Sequence, residues 1–283
     1  MSARLKHIAL VSDQYALQGR FYEAAFGMRG AADTRPERAV TVSDGYVGLN
    51  INPRKAGRPA GLDHFGLEVD EVEPVLARLR ARYPEVQVVQ RPGTRPFAGL
   101  STHDPDGNVF DLSQPDMANR TSVYVEAGSR QPRRISHFAL RTLHPEQLAE
   151  FYVDILGLSA AERTPKDANF SLKDANFYLS DGRVTLVLMP WRITDYAGTG
   201  IVRPGPDHFG FEVESVEKLK QSLRTIGDNN PHLRPMPLAG PEGEARLKLF
   251  AACCPLGQHR LADPDGVLLD LAEPWNDRSA SAG

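Results

Sequence analysis

The chain has 283 residues, a net charge of −3, 41% hydrophobic residues and 24% charged ones. That is a globular composition with room for one large domain or two ordinary ones, and its dispersed Lys and Arg give no footprint for nucleic acid or an anionic membrane. The only cysteines are the neighbours Cys253 and Cys254, and no apolar run suits a secretory leader or a membrane span, so the expectation is a protein of the reducing cytoplasm without a disulfide framework.

From Lys6, KHIALVS reads as a strand, with His7, Ala9 and Val11 on one face and Ile8, Leu10 and Ser12 on the other. Leu17, Phe21, Ala24 and Met28 recur at helical spacing and predict a helix over 13–28, with Gly27 and Gly30 as stops. RAVTVSDGYVGLNINP predicts two strands around a Ser-Asp-Gly turn. GLDHFGLEV predicts another strand, and Val72, Val75, Leu76 and Leu79 the stripe of the next helix. EVQVV reads as a strand, and DPDG as the tight turn of a hairpin between Phe97–His103 and Asn108–Leu112. The longest polar connector covers 114–134. It divides the chain into expected domains 1–125 and 126–276, with a frayed tail over 277–283.

The second half repeats the first. SHFALRT matches KHIALVS and EFYVDILGL matches RFYEAAFGM, with His7/His137 and Phe21/Phe151 both 130 residues apart. FYLSDGRVTLVLMP, GPDHFGFEV and DPDGVLLDLAEP repeat their first-half counterparts at growing offsets, so insertions sit in loops. In GPDHFGFEV, His208, Gly210 and Glu212 share one face, and Phe209, Phe211 and Val213 the other, core-like face. Each half is itself roughly twofold. The expected fold is α+β: four β-α-β-β-β units in tandem forming two curled, mostly antiparallel sheets with outer helices.

Three residue types recur at matching places: His7, His64 and Asp111, then His137, His208 and Asp270. Two imidazoles and one carboxylate on a rigid sheet form a facial triad with open coordination positions, suited to Fe(II), Mn(II) or Zn(II). Any one of them alone is more often a surface or satisfied core residue; their joint recurrence makes them metal-ligand candidates.

Together H-x-A-L, FY…GM/GL, S-D-G, D-H-F-G-x-E-V and D-P-D-G-x-x-x-D-L, spread over Lys6 to Pro274, resemble the vicinal oxygen chelate superfamily of glyoxalases, extradiol dioxygenases, bleomycin resistance proteins and some epimerases. The layout most resembles the two-domain extradiol ring-cleavage dioxygenases. That resemblance implies an Fe(II) site in the C-terminal domain, with Mn, Zn, Ni or Co as other divalent ions. It implies a small catechol-type substrate with O₂; the charge pattern and the lack of a long apolar run, not the resemblance, argue against nucleic acid and membrane partners, and a homo-oligomer stays open. The chain departs from the family pattern at several places. Asp stands at 111 and 270 where the family usually has Glu, and Arg260 and Ser101 stand where extradiol enzymes carry Tyr. No His lies between Trp191 and Asp207 to match their further catalytic histidine. His259, Arg260 and Tyr196 are therefore the candidates for acid–base work. The sequence leaves the unit pairing open: His7/His64/Asp111 with His137/His208/Asp270, or His7/His208/Asp270 with His137/His64/Asp111. Strand faces also suggest an Arg141–Glu212 pair, and the insertion over 228–258 reads as a lid or a surface loop.

Overall fold

The computed structural model describes residues 3–30, 39–93, 95, 97–117, 122–124, 131–160, 176–254 and 256–274. The expected domain boundary near 125 and the tail over 277–283 lie outside them. The first domain runs β1 (Arg4–Ser12), α1 (Tyr15–Phe26), β2 (Arg29–Gly30), β3 (Val40–Ser43), β4 (Gly48–Pro53), β5 (Gly61–Glu68), α2 (Val72–Arg82), β6 (Val89–Gln90), β7 (Leu100–His103) and β8 (Val109–Ser113). A 3-10 turn at Ser122–Tyr124 follows. The second runs β9 (Arg134–Thr142), α3 (Pro145–Leu156), β10 (Ser159–Ala160), β11 (Phe177–Ser180), β12 (Thr185–Pro190), β13 (Gly205–Glu212), α4 (Val216–Asn229), α5 (Gly240–Cys253), β14 (His259–Ala262) and β15 (Leu268–Ala272).

Two units build each sheet, and three of the four have the expected β-α-β-β-β order; among the described residues the fourth is β13-α4-α5-β14-β15, with an isolated Met236–Ala262 bridge where the second unit has β6. The first sheet is ordered β2-β3-β4-β1-β5-β8-β7-β6 and the second β10-β11-β12-β9-β13-β15-β14. Units meet through one antiparallel pair, β1 with β5 and β9 with β13. The first unit therefore pairs with the second and the third with the fourth, which settles the pairing the sequence left open.

The recurrent turn motifs do more than reverse the chain. Gly45 and Gly182, both at φ 93, take the left-handed backbone that suits glycine. Asp44 then accepts the amides of Tyr46 and Val47 at 2.8 and 2.7 Å, and its other oxygen accepts the Ile135 amide of the second domain at 2.7 Å. Asp181 mirrors this with Arg183, Val184 and, across the interface, the Leu5 amide at 2.7 Å. In the DPDG turns, Asp104 and Asp263 hold their own turn amides, while the hydroxyls of Tyr152 and Tyr22 donate to them from the opposite domain at 2.9 and 2.7 Å.

Apolar packing closes the same interface. Phe26 stacks on Phe211 at 3.8 Å between ring centres, and Phe65 lies 5.0 Å from Phe138. One continuous buried cluster takes residues from both sheets and from α1 to α4. Burying one such side chain contributes roughly 1.5–3 kcal/mol, so the shared core, more than the polar connector, holds the domains together. Helices α1 and α3 lie away from the histidines and reach across to the partner domain. No helix among the described residues is long and apolar enough to cross a membrane.

Candidate metal centre

The strand pairing explains how six residues, far apart in sequence, form two clusters. On the first sheet His7 lies opposite Gly66, and Gly66 opposite Asp111. On the second, His137 lies opposite Gly210, and Gly210 opposite Asp270. Each glycine sits between a histidine and a carboxylate. A Cβ on Gly210 would fall 1.9 Å from His137 Cε1, and one on Gly66 2.7 Å from Phe97 and 2.9 Å from His7. The glycines beside the histidines thus make room for the imidazole of the neighbouring strand.

The histidine of each D-H pair is set by a β-bulge. Pairing skips Asp63 between Leu62 and His64, and skips Asp207 between Pro206 and His208. Strict alternation would send Asp and His to opposite faces. The bulge turns both to one side: Asp207 Oδ1 lies 2.5 Å from His208 Nδ1, and Asp63 Oδ2 2.7 Å from His64 Nδ1. A metal-binding imidazole is commonly oriented in this way by a carboxylate on its other nitrogen.

His137, His208 and Asp270 come together with Cys254, and His7, His64 and Asp111 form a second group. In each group the candidate ligand atoms lie within 4.8 Å of one another, and every residue is buried.

The two groups differ in what surrounds them. In the first domain the polar atoms bond to one another. His64 Nε2 lies 3.3 Å from Asp111 Oδ2, Ser101 donates to Asp111 Oδ1, and Tyr124 bonds His7 Nδ1 at 2.7 Å. Phe97 stacks on His7 at 4.9 Å. Burial works against a charged His64, yet Asp111 and Asp63 outweigh it and raise its pKa to about 9. Burial raises Asp111, but the His64 bond and charge win and hold it at about 2. Burial, with the charge of His64, lowers His7 to about 3. This is a satisfied ion pair.

In the second domain His137 Nε2, His208 Nε2 and both Asp270 oxygens are buried without a hydrogen-bond partner among the described residues. Leaving such groups unmade costs roughly 1–3 kcal/mol each, and an ion bound at their focus would satisfy all of them. Burial, then the neighbouring His208 and Arg260, push His137 well down; burial also lowers His208 despite Asp207. Both imidazoles are thus neutral, the form that ligates metals. Burial raises Asp270 to about 7, with Arg260 and nearby amides only partly opposing it. Asp207 would also be raised by burial, but Arg246, His208 and Arg141 drive it far below the usual carboxylate range. Arg141 and Arg246 each reach it at 2.5 Å.

The remaining candidates are distributed as follows. Arg260 lies across from Asp270, its Nε 3.6 Å from Oδ1, while Nη2 donates to the carbonyls of Cys254 and Gly257. Tyr196 is buried, its hydroxyl without a hydrogen-bond partner among the described residues, near Arg141; burial, then Asp207, raises its pKa, which favours the protonated phenol. His259 is not brought to the cluster. Adjacent strand residues face opposite ways, and with Arg260 turned to Asp270, His259 feels Lys220 and Glu217 of α4 instead.

Two expectations are corrected. Arg141 pairs with Asp207, because the bulge brings that carboxylate to its face, whereas Glu212 pairs with Arg134 at 2.9 Å. The insertion is not a plain surface loop: it contains α5, which packs on the site. Arg246 grips Asp207, Phe250 lies 4.1 Å from His208, and Cys254 follows the helix into the cluster. Cys254, Asp207 and Arg246 are the site residues that sequence reasoning missed. With Ala139, Val187 and Met189, Phe250 and Cys254 make a separate apolar cluster on the histidine side of the second sheet. The first-sheet counterparts of Val187 and Met189, by their pairing with Ala9 and Val11, are Asn50 and Asn52.

A family model described as Glyoxalase/Bleomycin resistance protein/Dioxygenase superfamily matches residues 4–112 and 134–271. The chain belongs to this superfamily. No curated protein sequence matches this superfamily member. Among solved structures, it is similar to the 2,3-dioxygenase LapB from Pseudomonas sp. KL28, at 16% identity and a TM-score of 0.63, covering 95% of this chain and 91% of that one. It is similar to the Mn(II)-bound glyoxalase from Novosphingobium aromaticivorans, at 15% identity and a TM-score of 0.62, covering 96% and 83%. It is also similar to homoprotocatechuate 2,3-dioxygenase from Arthrobacter globiformis, at 15% identity and a TM-score of 0.61, covering 95% and 79%. At these identities the likeness concerns the fold of the superfamily.

Proposed function

We propose that the protein is a metal-dependent enzyme whose active centre is the second-domain cluster, acting as an extradiol-type dioxygenase on a small catechol-like substrate. The observation that carries this reading is the convergence of four buried, unpartnered ligand atoms from His137, His208 and Asp270. A divalent ion there, Fe(II) by preference and Mn, Zn, Ni or Co otherwise, would supply Lewis-acid activation of two vicinal oxygens and, as Fe(II), a partner for O₂.

The chain's own residues account for the rest. Asp207, fixed between Arg141 and Arg246, orients His208. The Val187, Met189 and Phe250 cluster beside the triad offers an apolar wall suited to an aromatic ring. The buried Tyr196 hydroxyl is a proton donor to a substrate oxygen. Arg260 tempers the charge on Asp270.

A glyoxalase- or epimerase-like reaction is the second reading, because no histidine stands where ring cleavage would place its acid–base group. A non-catalytic binder is a weaker third. Protein loaded anaerobically with Fe(II) should consume O₂ when a catechol is added and yield a ring-opened product. Turnover of an α-keto or α-hydroxy substrate without O₂, on Ni, Zn or Co, would replace this reading with the second.

A further inference from the structure

We propose that Cys254 is a fourth protein ligand of the second-domain centre, making it a site of two histidines, one carboxylate and one thiolate. This deepens the metal reading above and rests on it.

The geometry points to the sulfur directly. Cys254 Sγ, His137, His208 and Asp270 offer atoms that all lie within 4.8 Å of one another. Bonds of about 2.0–2.3 Å place ligands of one ion at most roughly 4.6 Å apart, close to the 4.8 Å that bounds the separations of these four atoms. Independently of the cysteine, the unpartnered His137 and His208 nitrogens and Asp270 oxygens already mark that centre, each on a residue at most 2% exposed.

Cys254 is also held in place. It follows α5, whose Arg246 and Phe250 bind Asp207 and flank His208. Arg260 donates to the carbonyls of Cys254 and Gly257, tying both residues to the strand beside Asp270. A Cβ on Gly257 would fall 1.8 Å from Asp270 Oδ1, so glycine lets this segment lie against the carboxylate. The first-domain group has no sulfur.

On binding, the thiol gives its proton to solvent and a metal–sulfur bond forms, with no change of oxidation state. A thiolate turns preference toward Zn(II), Co(II), Ni(II) or Fe(II) and away from Mn(II) and Mg(II).

The test is anaerobic Co(II) titration of Cys253→Ala protein, in which Cys254 is the single thiol, beside Cys253→Ala/Cys254→Ser. The expected result is a near-ultraviolet sulfur-to-cobalt charge-transfer band that saturates at about one Co(II) per chain. The serine variant should lack the band and bind Co(II) more weakly by at least the roughly 10- to 100-fold typical of outer-shell losses. Its preference for Co(II) over Mn(II) should narrow. Co(II) bound with ligand-field bands that His208→Ala abolishes, but with no charge-transfer band in Cys253→Ala protein, would overturn the thiolate ligand and leave the metal reading intact. No Co(II) binding at all would end both.

Discussion

The two domains carry the same three ligand types on equivalent strands, yet one cluster is closed and the other open. In the first, Ser101 sits across from Asp111 and donates to it, and His64 bridges Asp63 and Asp111. In the second, Arg260 takes the place of Ser101 but gives its hydrogen bonds to backbone carbonyls, so Asp270 has that charge 3.6 Å away and no hydrogen-bond partner among the described residues. Tyr124 and Phe97 fill the space beside His7. Helix α5 covers the second site instead, with a sulfur and an apolar ring. A duplicated ligand set fixes where a metal could bind; the surrounding residues decide whether those atoms are already satisfied.

The sharpest way to break this comparison is at the paired glycines. Gly210→Ala drives a Cβ to 1.9 Å from His137. It should abolish metal binding and cost about 1–3 kcal/mol from overpacking, read by metal analysis and thermal unfolding. Gly66→Ala should destabilise comparably and leave metal content at the wild-type value. Equal metal loss in both variants would erase the distinction between the sites.

A smaller effect is expected at the bulge carboxylates. Asp207→Asn should weaken metal affinity roughly 10- to 100-fold, whereas Asp63→Asn should not change it; competition with a chromophoric chelator measures both.

The remaining predictions concern features the domains share and should not discriminate between sites. Burial raises the pKa of Asp263 from the ordinary 3.8 of an aspartate to about 6, against the opposing bonds from Tyr22 and the turn amides. The folded state then holds more protons than the unfolded one between those values, so this group's contribution to stability is present below about pH 4 and lost as pH rises through about 6. Chemical denaturation across that window should show the slope, and Asp263→Asn should flatten it. Tyr22→Phe and Tyr152→Phe should each cost only about 1 kcal/mol with metal content unchanged. A large difference between the two would mean that the domain clasps are not equivalent.

Much of this was legible in the sequence because duplication states the pattern twice. The tandem units, the convergence of six candidate residues into two clusters and the turn motifs follow from strand alternation and matching offsets, since a residue two positions along a strand returns to the same face. What was not legible involves broken periodicity or long-range return. Asp207 reads as facing away from His208 until the bulge turns it. By alternation alone Arg141 consequently suits Glu212. Helix α5 begins at Gly240 with Pro241 and Gly243 in its first turn, so composition reads as loop. Nothing local in the sequence says that its end brings Cys254 to His137. The tyrosines of the FY motifs read as core, which they are; their hydroxyl bonds to the DPDG aspartates cross domains and leave no periodic trace.

Metal content of protein purified without chelator, for the wild type, His208→Ala and His64→Ala, tests the central claim most directly. The open second site and the satisfied first site predict about one ion per chain in the wild type, almost none in His208→Ala, and about one in His64→Ala. Two ions per wild-type chain, or loss of the ion in His64→Ala with retention in His208→Ala, would contradict it.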